Sequence, residues 1–138
     1  MADLPRANIR IASCRCGRLR ATCTGEPVRV SVCHCLECKK RSGSAFAVQA
    51  RWPNERVELS GDATEWGYTG DSGSRAIFRF CPTCGSGISY ASHAMPGLTA
   101  IPVGAFADPD FPPPQYSVYE ERKHDWLAIC GDGIEHMD

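Results

Sequence analysis

The sequence has no apolar run long enough to cross a membrane, almost no net charge and no extended helical stripe. Its longest apolar-leaning stretch, Leu98 to Ala107, is broken by Pro102 and Gly104 and falls far short of the ~20 residues that a membrane helix needs. The opening segment, MADLPRANIRIAS, has no apolar core of the kind a secretory leader carries. These absences lead to the expectation of a cytoplasmic protein without membrane attachment. Fifteen Lys+Arg against sixteen Asp+Glu leave a formal charge of −1. No global positive field would draw in nucleic acid, which counts against such a partner. No stretch of about 12 residues carries a clean helical period free of Gly or Pro, which excludes a helical bundle.

What remains is 138 residues, 43% hydrophobic and 22% charged, a size that fits one domain with one modest core. We expect a single domain over residues 1–138, with its core at about 9–136. Short alternating segments bounded by Gly, Pro, Asn and Asp recur along the chain, the pattern of β structure. Ile9 and Ile11, then Leu19, Ala21 and Cys23, predict a hairpin over about 8–24 with a cysteine-bearing turn at its tip. Val28, Val30 and Val32 predict a strand leading into Cys33, and 45–50 another. Strands are also expected around Val57 and Leu59 and over 64–69, 74–80, 87–90, 98–106, 116–120 and 126–129. The expected fold class is mainly β, a small domain of several short antiparallel sheets. Helix is confined to short turns, foremost near Glu37 to Ser42. The Pro-rich 108–114 stretch reads as an extended surface connection. Trp52, Trp66 and Trp126, with Phe46, Phe78, Phe80, Tyr90 and Phe106, read as core or pocket wall. His93, His124 and His136 carry no motif.

Against these absences stands one excess, the nine cysteines at positions 14, 16, 23, 33, 35, 38, 81, 84 and 130. Seven fall in three clusters: Cys14-Arg-Cys16-Gly17, Cys33-His-Cys35-Leu-Glu-Cys38 and Cys81-Pro-Thr-Cys84-Gly85. A disulfide framework suits neither the odd count nor the crowded spacing. A thioredoxin-type role for Cys81 and Cys84 lacks the βαβ surroundings it requires. Metal suits the spacing better, because zinc takes four thiolate or imidazole ligands and a C-x₂₋₄-C turn supplies two of them. Gly17 and Gly85 stand where a chain turning around a metal often needs positive φ. Two such knuckles together make a closed all-thiolate site from Cys14, Cys16, Cys81 and Cys84.

The middle cluster then has three cysteines and no obvious fourth ligand, and three protein ligands with one open position mark a catalytic zinc. Alternatively His34, Cys23 or Cys130 completes a second closed tetrahedron, or only one zinc binds. Cys33 and Cys35, two apart, would face one side of a strand, with Cys38 returning from the next turn and His34 pointing away. Lys39, Lys40 and Arg41 follow at once and lead into Ser42-Gly43-Ser44. Such cations would ease the approach of an anionic ligand, a small thiol or carboxylate, to a zinc held by three thiolates.

The C-x-C-G, C-H-C-x-x-C with its basic run and Ser-Gly-Ser, and F-C-x-x-C-G-S, with Gly104 to Pro109 and the closing Trp126 and Asp132-Gly133-Ile134, together resemble the glutathione-dependent formaldehyde-activating family, to which centromere protein V is also similar. The resemblance implies a β-tent architecture and two zincs per chain. It implies a structural zinc on Cys14, Cys16, Cys81 and Cys84, and a catalytic one on Cys33, Cys35 and Cys38. It also implies a carbon–sulfur lyase that joins glutathione to formaldehyde as S-hydroxymethylglutathione. Lys39, Lys40 and Arg41 are then expected to meet a glutathione carboxylate. The competing expectations are a noncatalytic zinc module that binds a protein or nucleic acid, and a glutathione carrier.

Overall fold

The computed structural model describes residues 8–70 and 73–138; residues 1–7, which hold half of the segment inspected for a leader, lie outside it. In chain order the elements are β1 (Ile9–Ser13), β2 (Arg20–Thr24), β3 (Arg29–Cys33), α1 (Leu36–Ser42), β4 (Ala47–Pro53), β5 (Val57–Ser60) and β6 (Thr64–Thr69). They continue with β7 (Arg75–Phe80), β8 (Gly87–Ser92), β9 (Leu98–Pro102), β10 (Tyr116–Val118) and β11 (Glu135–His136). The mainly β expectation holds. Among the described residues no helix is long and apolar enough to cross a membrane.

Two sheets result. The first is antiparallel in the order β1-β2-β5, and its hairpin pairs Ile9 with Thr24 and Ser13 with Arg20. The second has eight strands in the order β11-β10-β3-β4-β9-β8-β7-β6. Alternation explains how they meet, because successive strand residues point to opposite faces. Ala12, Ala21 and Cys23 of the small sheet, with Leu19 from its turn, pack against Val30, Ala50, Trp52 and Ile101 of the large one. Trp52 is fully buried and its indole N–H donates to the Gly25 carbonyl at 2.9 Å. That bond removes the cost of burying the ring's polar edge.

The large sheet departs from the antiparallel expectation at β10, which runs parallel to both β3 and β11. Parallel neighbours need a crossover, and the chain supplies one: it leaves β9, turns through Val103–Phe106 and follows the Pro-rich stretch back to the far edge. Phe111 holds that stretch down by stacking on Phe106 at 4.9 Å. The Gln115 side chain then accepts from Val30 N–H at 2.8 Å, joining the returning chain to β3.

No strand forms over 126–129. Leu127 N–H closes a turn onto the His124 carbonyl, and the Lys123 ammonium caps the Leu127 carbonyl at 2.7 Å. Trp126 is neither core nor pocket wall; it is 73% exposed and stacks on His124 at 5.1 Å.

Candidate metal centres

The hairpin tips carry the first cluster. Cys14 follows β1 and Cys81 follows β7, both buried at the margin of the hydrophobic core, while Cys16 and Cys84 are exposed. Gly17 and Gly85 adopt φ of 82° and 80°, the left-handed conformation that lets each knuckle close. Backbone N–H groups point at the sulfurs: Leu19 N lies 3.2 Å from Cys14 Sγ, and Thr83 N lies 3.3 Å from Cys81 Sγ. The four sulfurs all lie within 4.8 Å of one another, with edges of 3.6 Å from Cys14 to Cys16 and 3.7 Å from Cys16 to Cys81. A regular tetrahedron with metal–sulfur bonds of 2.3 Å has edges of about 3.8 Å, so the donor set and its size fit a metal ion. All nine cysteines are free thiols.

The second cluster is built differently. β3 ends at Cys33, and Cys35 sits on no strand: it is the N-cap of α1, its Sγ accepting from Cys38 N–H at 3.3 Å. The capping preference of a polar acceptor thus replaces the expected strand spacing. Gly43, at φ 63°, ends the helix after two turns by donating to the Lys39 carbonyl at 2.9 Å. Cys33, Cys35 and Cys38 lie within 4.8 Å of one another. Among the described residues, no fourth His, Cys, Asp or Glu joins this group. His34, Cys23 and Cys130 therefore do not complete it, and the trio can hold a metal ion with a position to spare.

Both clusters contain thiols disposed to ionise. Hydrogen bonding from Cys33, assisted by Cys35 and the Arg41 guanidinium, draws Cys38 down to about 5 against its burial. Hydrogen bonding with Ser86 brings Cys84 to about 5. A thiolate is the form that ligates a metal.

A cavity of about 830 Å³ opens beside the three-thiol cluster, with Cys38 in its wall and Lys40 and Arg41 alongside. Lys39 points elsewhere: its ammonium donates to the Arg122 carbonyl and ties α1 to the C-terminal segment. The basic run is thus divided by the helix, two cations on the cavity and one behind it.

Behind the cluster, His34 is fully buried. Ser117 donates to Glu120 Oε2 at 2.7 Å, so it accepts from His34 Nε2–H at 2.9 Å. His34 Nδ1 is left as an unprotonated acceptor without a hydrogen-bond partner. Burial lowers the His34 pKa, in keeping with the neutral ring. His136 Nδ1 completes the chain on Glu120 at 2.8 Å. Sequence inspection missed this link because Ser117, Glu120 and His136 lie some 83 residues or more from His34 and share no motif with it.

The cavity wall also carries Trp66, Tyr68, Phe78 and Tyr90. Trp66 pairs with Phe78, and Phe78 with Tyr90, across β6, β7 and β8. Alternating aromatics in TEWGYT and RAIFRF were the available signal; the register that aligns them was not.

Comparison with known proteins agrees with this architecture. A crystallised protein of Rhodobacter sphaeroides, a structural-genomics target, shares the fold with a TM-score of 0.55 at 20% identity, over 69% of this chain and 85% of that one. No curated protein matches the chain. The model of the glutathione-dependent formaldehyde-activating enzyme family matches residues 9–122, a span that contains both cysteine clusters and every residue lining the cavity, and the chain belongs to that family.

Proposed function

We propose that the chain is a zinc-dependent carbon–sulfur lyase that joins glutathione or a related small thiol to an aldehyde such as formaldehyde. One observation carries the reading: a trio of thiols with no fourth ligand among the described residues presents one member, Cys38, in the wall of a ligand-sized cavity. Closed sites hold structure, whereas a site with a spare position can admit a reactant. In the same reading Cys14, Cys16, Cys81 and Cys84 hold a structural zinc, and Cys33, Cys35 and Cys38 a catalytic one. Zinc at the trio, when bound, supplies Lewis acidity that favours a thiolate at neutral pH and polarises an aldehyde oxygen.

The chain's own residues bind and orient. Arg41, already beside Cys38, offers a planar fork to a carboxylate, and Lys40 adds a second charge on the same wall. The reaction they serve is an addition: the sulfur–carbon bond forms, the carbonyl π pair moves to oxygen, and the thiol proton ends on that oxygen. Its reverse breaks the same bond, which gives the lyase class.

The test is elemental analysis of the reduced protein before and after glutathione, followed by a formaldehyde-consumption assay. Two zincs per chain, one of them made labile by glutathione, with turnover above the uncatalysed addition, is the expected result. Two inert zincs without turnover would turn the protein into a binding module.

A further inference from the structure

Part of the wall of the cavity beside the three-thiol cluster is a row of π surfaces. Trp66, Phe78 and Tyr90 stand directly opposite one another on neighbouring strands and so share one sheet face. Ring centroids are 5.8 Å apart for Trp66 and Phe78 and 5.1 Å for Phe78 and Tyr90. The Arg41 guanidinium lies over Tyr90, 4.9 Å from its centroid. The row therefore runs from the edge of the sheet to the cation beside Cys38. Trp66 remains 55% exposed, so packing within the protein does not use up its surface.

The charges on the wall are uneven. Lys40 and Arg41 stand at the cluster end with Glu37, which leaves that end net positive, whereas Arg79, farther along, is neutralised by Glu65 at 2.9 Å. A one-carbon aldehyde has no surface with which to cover the aromatic row. A tripeptide thiol with carboxylates at both termini would call for a cation at each end. Ligand pockets match apolar wall to apolar ligand surface and fix orientation with few polar groups, and rings meet rings in offset stacks.

We propose that the thiol received here carries a carboxylate close to its sulfur and a flat aromatic ring farther away. The carboxylate meets Lys40 and Arg41, and the ring lies along Trp66 and Phe78. The substrate class is thus aryl-bearing carboxylate thiols and their aldehyde adducts. This rests on the reading of the trio as a thiol-binding centre.

Three probes separate the two ideas by calorimetry on the zinc-loaded protein. N-benzoylcysteine has thiol, carboxylate and ring, N-acetylcysteine lacks the ring, and hippurate lacks the thiol. N-benzoylcysteine is expected to bind at least about tenfold tighter than N-acetylcysteine, a difference of about 1.4 kcal/mol. Trp66→Ala should erase that advantage and Trp66→Phe should keep most of it. Equal binding of the two thiols to the unsubstituted protein overturns the proposal and leaves the thiol reading standing, whether or not W66A folds. If N-benzoylcysteine binds no better than hippurate and W66A abolishes both, the ring site stands and the thiol reading falls. Hippurate and N-benzoylcysteine bound equally, with no response to W66A, sinks both.

Discussion

The two cysteine clusters offer the same ligand chemistry in opposite settings. The four-thiol cluster draws its members from two turns, Cys16 and Cys81 standing 65 residues apart, and it lies at the margin of the core. The three-thiol cluster is local, spanning six residues from the end of β3 into α1, and it faces a cavity. A metal that bridges distant segments adds its binding energy to folding; one held by a short segment that the sheet already positions leaves the fold to other forces. Sequence distance between ligands, more than ligand type, separates the two roles.

The largest effect expected is at the bridge. Cys84→Ser removes one of four ligands, and structural zinc binding is worth about 10–16 kcal/mol, comparable to the roughly 5–15 kcal/mol of a whole domain. The variant should be unfolded or melt tens of degrees lower, with one zinc lost, by circular dichroism and elemental analysis. An unchanged melt would erase the distinction between the clusters. Cys35→Ser should lose the other zinc and reduce turnover on the order of 10²-fold or more while the melt shifts only a few degrees. Global unfolding of that variant would place both clusters in the same class.

Smaller effects sharpen the cavity side. Charge reversal of Lys40 and Arg41 together should raise the KM for glutathione roughly tenfold, about 1.4 kcal/mol. Reversal of Lys39 alone should change it less than about twofold, since that ammonium is engaged by the Arg122 carbonyl. Equal losses from all three would mean that the helix does not divide the run. The weakest effect concerns acid. Burial raises the Glu120 carboxyl, but hydrogen bonds from His136 and Ser117 outweigh it and hold the pKa below the ordinary value. A carboxyl depressed in the folded state contributes stability above its unfolded pKa, about 4.3, and loses it as pH falls through the folded value. Glu120→Gln should therefore flatten the decline in melting temperature below about pH 4.5, read from melts across pH 3–7.

Most of the thiol clustering was legible because its signals are local. C-x-C-G and C-x-x-C-G report a knuckle within four or five residues, and the glycines report its conformation. The hairpin over 8–24 and the strand pattern were equally legible, since period-two alternation is a property of one segment. What escaped depends on pairing between segments. Nothing in Tyr116-Ser-Val says that it returns parallel to β3, or that Trp66, Phe78 and Tyr90 fall in one row. The misplaced strand at 126–129 had apolar residues but no partner edge, and the Lys123 side chain serves its Leu127 carbonyl instead. Cys35 misled for a related reason, because a spacing of two suits a strand and also a strand end followed by a cap.

The parallel return of β10 also sets an order of events. Residues 14 to 84 contain all four thiols of the first cluster, so that set is complete well before the last quarter of the chain is made, N-terminal segments being available first. The trio at 33, 35 and 38 is complete sooner, but its backing is not. Ser117 beneath His34, β10 beside β3 and the Arg122 carbonyl that holds Lys39 all come from the last quarter of the chain. The nascent protein can thus lay down its cavity lining before the backing of the three-thiol cluster is complete, so the chain behind the trio settles last.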